Sequence, residues 1–417
     1  MVSIARKNLF EDIPRFLVAQ AGIMFAVSLV TIQIGILNGF TRSTAQLIDD
    51  SEADIWIAAE EMVYFELTQP MPLERVSQAE QIEGVERAEA LLLATGRWRG
   101  ASGTIAPVRI IGFNPNGQLF RLQDITAGQI GDLTEPRTII IDESSLDSLN
   151  LEGVGSEAEI NSEVVRLVGL ARGTQSIVSS SIVFTSLRNA KVYSTAGLSS
   201  SVQCAVQAGG GLDCTTVYER QDSSETDTLT DTDVEPLNLS DPISYVLVRA
   251  APDQDLDILK QRLADTLPNV AVYTREEMAS RTRNYWRLRT GIGFVLGLGA
   301  AVGMIVGMVI VGQILYSSVA DHLKEYGTLK AMGASDRVIY GVIIEQALWM
   351  AVLGYAPSMV LCLGLGIWTF NTQGIMILIT PLMATGVFGI TVFMCVGSAL
   401  FAIQKVTHVD PAIVFKA

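Results

Sequence analysis

Three stretches of the chain carry no charged residue, and they constrain the fold more than any other feature. They are residues 16–41, 290–320 and 346–404. A helix needs about 20 apolar residues to cross a bilayer, so each of the first two stretches can supply one span. The third stretch has 59 residues, which would form a helix of about 88 Å at 1.5 Å per residue. It must therefore fold back, and the sequence predicts four transmembrane helices.

The segment between the first two charge-free stretches is polar and acidic. Residues 43–289 hold 37 of the 44 acidic residues but only 20 of the 29 basic ones, a net charge of −17. Such a block repels nucleic acid and anionic lipid headgroups rather than binding them. Its 247 residues are enough for one large domain or two small ones. The sequence therefore predicts a membrane protein with one large extramembrane domain.

The order of segments follows the same charge pattern. Residues 1–15 mix apolar and charged positions, which predicts an amphipathic helix on the cytoplasmic surface. The other predicted segments are transmembrane helix 1 at 16–41, the extramembrane domain with its stalk at 42–289, transmembrane helix 2 at 290–318, a cytoplasmic elbow at 319–337, transmembrane helix 3 at 338–370, a short outer turn at 371–374, transmembrane helix 4 at 375–404 and a cytoplasmic tail at 405–417.

The positions of basic residues predict the orientation. With four spans, both termini and the elbow lie on one side of the membrane. Eight Lys and Arg residues lie on that side, against six near the membrane ends of the large domain. The excess is small, but long domains cross the membrane largely regardless of charge. We therefore expect the termini in the cytoplasm and residues 43–289 outside it.

Two cysteines occur in the polar block, Cys204 and Cys214. The residues between them include three consecutive glycines, so a flexible loop could bring the thiols together in a disulfide. The alternative is a pair of unbonded surface thiols. A disulfide would indicate an oxidising compartment such as a periplasm. Cys362 and Cys395 lie within apolar spans, where buried free thiols are expected.

Alternating and β-branched segments predict an α+β fold for the polar block. Its first strands are expected at 53–58, 85–93, 108–113 and 138–142. Residues 151–188 are predicted to form a β-rich lobe. Residues 219–242 hold eight acidic residues and one Arg, which is typical of a solvated, mobile loop. The block ends with a predicted strand–helix–strand unit (243–250, 253–267 and 270–274) and a stalk helix at 275–289.

Transmembrane helix 2 is rich in glycine. Gly299, Gly303 and Gly307 recur every four residues on one face, and small residues let helix backbones approach closely in lipid. Because glycine otherwise weakens a helix, this face predicts a packing interface. The residues leave open whether it packs within the chain or across a homodimer, and the dimer is the preferred interpretation. With no breaker before helix 2, a continuous helix from about 275 to 331 is expected.

The cytoplasmic segment after helix 2 is longer than a plain re-entry turn requires. The helix is predicted to continue to about Lys330. Gly333 is expected to end it and Ser335 to cap the next helix. These features favour a stiff helical elbow, with an ordinary turn as the alternative.

One face of this elbow is predicted to meet a partner. Tyr326, Leu329 and Met332 recur every three residues, so a helix would present them together. They are too apolar for a loop that faces water. Glu325 and Lys330 flank this face and are expected to set the orientation of the partner rather than its affinity.

The motifs of common catalytic sites are missing from the sequence. No Lys follows a Gly, which excludes a GxxxxGK[ST] phosphate-binding loop, and no GxSxG nucleophile motif occurs. The two histidines, His322 and His408, lie outside the polar block, which excludes zinc and Ser-His-Asp sites in that block. The sequence therefore predicts a non-catalytic chain without metal or cofactor, and it disfavours a membrane-anchored enzyme.

The elbow sequence EYGTLKAMGA at 325–334 resembles the coupling segment of FtsX/MacB-type ABC permeases. More narrowly, the chain resembles the DevC-type permeases of cyanobacteria at 5–9, 53–56, 169–180, 322–335 and 409–417. The resemblance implies an α-helical membrane protein with four spans. A MacB-like α+β periplasmic domain, with a βαβ porter-like lobe and a β-rich lobe, would be inserted between helices 1 and 2. Because only fifteen residues precede helix 1, the ATPase is expected to be a separate protein.

The resemblance also implies a function. The chain would be the permease subunit of an exporter for glycolipid or other amphipathic cargo, located in the inner membrane and working as a homodimer. Its partners would be a DevA-like ABC ATPase, a DevB-like membrane-fusion adaptor and a TolC-like outer-membrane channel. The residues that couple to the ATPase would be Glu325, Tyr326, Gly327, Leu329, Lys330, Met332 and Gly333. The alternative is an FtsX-like signalling subunit that regulates a periplasmic cell-wall enzyme; a neighbouring gene for an adaptor or for a hydrolase would distinguish the two.

Overall fold

The computed structural model describes residues 13–101, 103–175, 179–195, 199–206, 212–219, 236–289, 291–373 and 377–407. The chain divides into two compact units. The membrane unit comprises Met1–Phe40 and Arg287–Ala417, and the extramembrane unit comprises Thr41–Trp286. The predicted amphipathic segment (up to residue 12), most of the acidic loop (220–235) and the tail beyond residue 407 lie outside the described residues.

The bounds of the helices and strands within the described ranges are as follows. The helices are α1 (Ile13–Ser43), α2 (Gln46–Asp49), α3 (Glu74–Glu80), α4 (Leu146–Leu149), α5 (Leu187–Thr195), α6 (Leu256–Thr266), α7 (Arg275–Arg289), α8 (Ile292–Asp321), α9 (Leu323–Ala331), α10 (Asp336–Gln373) and α11 (Pro381–Thr407). The strands are β1 (Ile55–Ala59), β2 (Met71–Pro72), β3 (Val85–Arg99), β4 (Ile105–Phe113), β5 (Ile125–Ala127), β6 (Thr138–Asp142), β7 (Glu157–Ile160), β8 (Glu163–Ala171), β9 (Ser181–Ser186), β10 (Ser199–Val206), β11 (Leu212–Glu219), β12 (Pro242–Ile243), β13 (Tyr245–Ala250) and β14 (Val270–Thr274).

The extramembrane unit is built on a ten-stranded mixed sheet. The strand order is β14-β1-β13-β3-β4-β9-β6-β8-β5, and β7 pairs with both β3 and β8. The pairs β4–β9 and β6–β8 are parallel. The predicted strand–helix–strand unit is present as β13, α6 and β14. Strand β1 pairs antiparallel with both of these strands and so lies between them.

Strand β3 joins the two predicted lobes. Its first half, Val85–Leu91, pairs with β13, and its second half, Leu92–Arg99, pairs with β4. The porter-like and β-rich lobes are therefore parts of one continuous sheet. The β-rich lobe also includes helix α5, whose Ala190 and Tyr193 are fully buried with the strands of that lobe. The strand is fifteen residues long because its two halves pair with different strands.

Among its described residues, the membrane unit contains four helices that are long and apolar enough to cross a bilayer, as predicted. Their spanning segments are Phe16–Ser43, Ile292–Asp321, Arg337–Phe370 and Pro381–Leu400. The last helix begins at Pro381 rather than at residue 375. Residues 377–380 are not helical, and the Leu378 amide donates a 3.0 Å hydrogen bond to the Gly35 carbonyl of α1. Proline suits the first turn of a helix because its missing N–H has no helical acceptor there.

The prediction of one continuous helix from about 275 to 331 is wrong. Helix α7 ends at Arg289 and α8 begins at Ile292, after Gly291 in a left-handed conformation with φ +64°. A second interruption lies at His322, whose φ and ψ of −92° and 17° separate α8 from α9. Glycine can adopt a positive φ without a steric penalty. The helix-breaking residue, Gly291, was therefore present in the sequence, but nothing in the sequence distinguished it from the other glycines of helix 2.

Cys204 and Cys214 lie in two paired strands, and the three glycines between them lie outside the described residues. Strands β10 and β11 pair antiparallel, with Cys204 directly opposite Cys214. Directly opposed residues in such a pair have Cα atoms about 4.5–5.5 Å apart, within the range that a disulfide requires. The backbone register is thus compatible with the disulfide, which remains a prediction.

We expect Cys204 and Cys214 to resist alkylation in the oxidised protein. Their opposed register supports a bond that would close a short loop, and such bonds form in oxidising compartments. Thiol labelling of the purified full chain, followed by peptide mass spectrometry with and without reductant, measures this. The buried Cys362 and Cys395 provide the internal control, since reductant should not change their labelling. Equal labelling of Cys204 and Cys214 under both conditions would disprove the bond.

Candidate ATPase-coupling site

The elbow is a short helix, α9, with a well-defined end. The Gly333 amide donates to the Lys330 carbonyl at 3.1 Å, and the Ala334 amide donates to the Leu329 carbonyl at 3.0 Å. Gly333 has φ +94°, so this is the Schellman motif that ends many helices. Helix α10 starts directly after Ser335. Both helix boundaries lie where the sequence predicts them, because glycine is the residue best suited to that left-handed position.

The predicted partner-facing set is divided by the structure. Tyr326 is 2% exposed and belongs to the buried cluster of the membrane unit, together with Val319 of α8 and Ile339 and Ile343 of α10. Leu329 is half-buried against the same cluster. The prediction that Tyr326 meets a partner is therefore wrong, because helices of its own chain cover its ring. The partner contact of the half-buried Leu329 stays a prediction.

The exposed face of α9 is a different face from the one that carries Tyr326. Glu325, Thr328 and Met332 follow at intervals of three and four residues and are exposed, with Met332 at 72%. Such spacing places them on one helical face. The carboxylate of Glu325 lies 3.4 Å from Nδ1 of His322. Of the predicted coupling residues, Glu325, Met332 and Gly333 are exposed, Lys330 is half-buried and Gly327 is buried.

The buried face connects the elbow to two membrane helices. Tyr326 and Leu329 share their cluster with residues from the end of α8 and the start of α10. Packed side chains as well as the backbone therefore join α9 to α8 and α10. Packed interiors are close to crystalline density and resist compression, so this connection is stiff.

The glycine face of α8 packs within the chain. A methyl group added at Gly303 would lie 3.0 Å from Cδ2 of Leu29 in α1, and one added at Gly307 would lie 2.6 Å from Cβ of Ala26. Gly299 faces the side chain of Gln33, also in α1. The preferred interpretation of this face as a dimer contact is therefore wrong. Close approach of helices through small residues is the expected packing in lipid, and here α1 supplies the opposing surface.

A second seam of small residues, which the sequence interpretation missed, joins α10 to α1. The Ser358 hydroxyl donates to the carbonyls of Gly354 at 2.6 Å and of Met24 at 3.4 Å. The Cys362 thiol lies 3.8 Å from the Ser28 carbonyl. Gly354, Ser358 and Cys362 recur every four residues, and this spacing was the available signal. Helix α1 is thus held between α8 and α10.

Comparison with known families supports this architecture. Residues 16–266 match the model described as MacB-like periplasmic core domain, and residues 297–411 match FtsX-like permease C-terminal. The first match covers more than half of the chain. The second contains most of α8, the elbow and the last two membrane helices. No protein of curated function matches the sequence at a significant level.

Three solved domain structures match part of the chain at low similarity. The periplasmic region of MacB from Actinobacillus actinomycetemcomitans is 11% identical, with a TM-score of 0.32, and the match covers 56% of this chain and 94% of that one. The extracellular domain of the noncanonic ABC-type transporter YknZ from Gram-positive bacteria is 11% identical, with a TM-score of 0.31 and coverages of 53% and 98%. A domain of a putative permease from Porphyromonas gingivalis is 12% identical, with a TM-score of 0.31 and coverages of 54% and 89%. By its match to the family models over both units, the chain belongs to the MacB/FtsX-like family of ABC permeases.

Proposed function

We propose that this chain is the non-catalytic permease subunit of an ABC exporter, and that it transmits the motion of a separate ATPase across the inner membrane to its periplasmic domain. The observation that carries the proposal is the division of α9 into two faces. Tyr326 and Leu329 hold it to the membrane helices, while Glu325 and Met332 are exposed. An exposed apolar side chain on a rigidly held helix is suited to insert into a groove of a partner protein.

In this mechanism ATP-driven closure of the partner ATPase displaces α9. Because α9 packs against the ends of α8 and α10, both helices would move with it, and α1 would follow because it packs against both. Because the helix is interrupted at Gly291 and at His322, the motion would pass through two hinges and not along one continuous helix. Hinges of this kind absorb a change of φ and ψ at a few residues.

The proposed assembly is a homodimer with a DevA-like ATPase, a DevB-like adaptor and a TolC-like outer-membrane channel. Since the glycine face is occupied by α1, a different face of α8 must meet a second copy. The remaining exposed stripe has a heptad-like spacing of three and four residues: Val295, Leu298, Val302, Ile305 and Val309. Valine at one heptad position with Leu at the other, as at Val295 and Leu298, favours parallel two-stranded packing.

The proposed cargo is a glycolipid or another amphipathic molecule. Its identity is tested by lipid analysis of a deletion strain. Loss of one envelope lipid, restored by the wild-type gene, supports export. Unchanged lipids together with a cell-separation defect would instead indicate the signalling role, in which the periplasmic domain regulates a cell-wall enzyme.

We expect the purified chain to have no ATPase activity. It contains no phosphate-binding loop, so ATP should be hydrolysed only after a co-expressed partner ATPase is added. Phosphate release is measured for the chain alone, for the partner alone and for the complex. The control is a partner whose phosphate-binding Lys is replaced by Ala, which should abolish activity of the complex. Hydrolysis by the chain after removal of every co-purifying ATPase would refute the permease-subunit proposal.

A further inference from the structure

An aromatic cluster with two exposed apolar side chains occurs where the extramembrane unit ends. We call it the foot and define it as Val63, Tyr64, Leu67, Tyr285 and Trp286. The first three residues lie in the loop after β1, and the last two lie on helix α7. The rings of Tyr64 and Tyr285 are stacked at 4.1 Å, and Trp286 packs edge-on against Tyr64 at 5.5 Å.

The loop part of the foot is fixed firmly to α7. The Arg281 guanidinium donates to the Val63 carbonyl at 3.1 Å and to the Met62 carbonyl at 3.0 Å. The amide of Phe65 donates to the Thr282 hydroxyl at 3.2 Å. Within the loop, the Val63 amide donates to the Leu67 carbonyl at 3.0 Å. These bonds hold Val63 and Leu67 side by side in one defined conformation.

The rigid loop nevertheless exposes its apolar side chains. Val63 is 40% exposed and Leu67 is 50% exposed. Holding a loop this firmly around apolar side chains that face water gains no burial for them. Burial and the nearby carboxylate of Glu66 raise the pKa of Tyr64, so its ring bears a neutral hydroxyl. Neutral aromatic residues with one polar group are enriched where a bilayer meets water.

The chain itself brings the foot near the membrane. Trp286 precedes the first residue of the α8 span, Ile292, by only six positions, and six residues reach at most about 20 Å when fully extended. The exposed residues between them include Arg287 and Arg289, whose long side chains can reach lipid phosphates while their stems contact apolar surface.

We propose that the foot inserts into the headgroup layer of the bilayer, with Val63 and Leu67 in contact with lipid. The occupant of this surface is the membrane and not a second protein. The foot would keep the end of α7 at a constant depth, so that movement of the domain takes place about a point anchored in lipid. This inference requires neither a particular cargo nor the ATPase partner.

Site-specific fluorescence tests the contact in the full-length protein. Single Val63→Cys and Leu67→Cys variants, made after the four natural cysteines are replaced by alanine, are labelled with an environment-sensitive dye and placed in phosphatidylcholine vesicles. Val154→Cys and Val164→Cys are the matched controls, since these valines are 51% and 48% exposed elsewhere on the same unit. We expect lipids with a spin label near the headgroup to quench the foot positions several-fold more than the controls, and iodide to quench them several-fold less.

Two results would overturn the proposal. Iodide quenching at the foot equal to that at the controls would show that Val63 and Leu67 face water. Protection from iodide without quenching by spin-labelled lipid would show that a protein surface covers them instead. Size-exclusion profiles that match the unlabelled parent establish that each variant is folded. Because vesicles contain neither ATPase nor adaptor, failure here would leave the proposed export function unaffected.

Discussion

Replacing Met332 by Asp is expected to abolish binding of the partner ATPase while leaving the chain folded and inserted. Met332 is 72% exposed at the end of α9, so the change costs little in the free chain. In a complex the carboxylate would be buried without a partner, which costs several kcal/mol. A loss of ~3 kcal/mol weakens binding roughly a hundredfold. Co-purification of the ATPase from detergent extracts, together with ATP hydrolysis in vesicles, measures the effect.

The contrast with neighbouring variants makes this test specific. Met332→Leu keeps the apolar contact and should retain the ATPase. Leu239→Asp changes a 62% exposed leucine in the other unit and should have no effect on ATPase binding. Leu329→Asp should instead destabilise the membrane unit, because Leu329 packs against the chain's own core. Wild-type recovery of the ATPase with Met332→Asp would exclude this face of the elbow as the docking surface.

Replacing Gly307 by Leu should strongly destabilise the membrane unit. A Cβ at this position would overlap Ala26 of α1 and also meet Met394 of α11. Relief requires the helices to move apart, and overpacking of a tight interior typically costs about 1–3 kcal/mol, occasionally more. We expect a lower unfolding temperature in detergent and a lower yield of monodisperse protein, measured by thermal denaturation with a thiol-reactive dye that reports the buried Cys362 and Cys395.

Gly297 on the same helix is the matched control. A Cβ there would meet no other atom within 4 Å, and leucine is the better helix former. Gly297→Leu should therefore leave the unfolding temperature unchanged or raise it slightly. If Gly307→Leu were equally well tolerated, the packing of α8 against α1 and α11 described above would be incorrect.

Features that depend on short stretches of sequence were predictable. Three charge-free stretches, the third long enough for two spans, determine four membrane helices, because a helix satisfies its own backbone hydrogen bonds within the bilayer. Gly333 determines where the elbow helix ends, because its left-handed conformation is costly for most other residues. The β-branched strand segments and the strand–helix–strand unit were visible for the same reason: each depends on periodicity within some ten residues.

Only the tertiary structure determined which segment packs against a given residue. Sequence spacing placed Gly303 and Gly307 on one face of a helix, but only the fold shows that α1 covers that face. Spacing also grouped Tyr326 with Met332, yet the ends of α8 and α10 bury the first and leave the second exposed. The insertion of β1 between β13 and β14 joins residues about 200 positions apart. A helical or strand period defines a face, whereas its partner is selected by packing between distant segments.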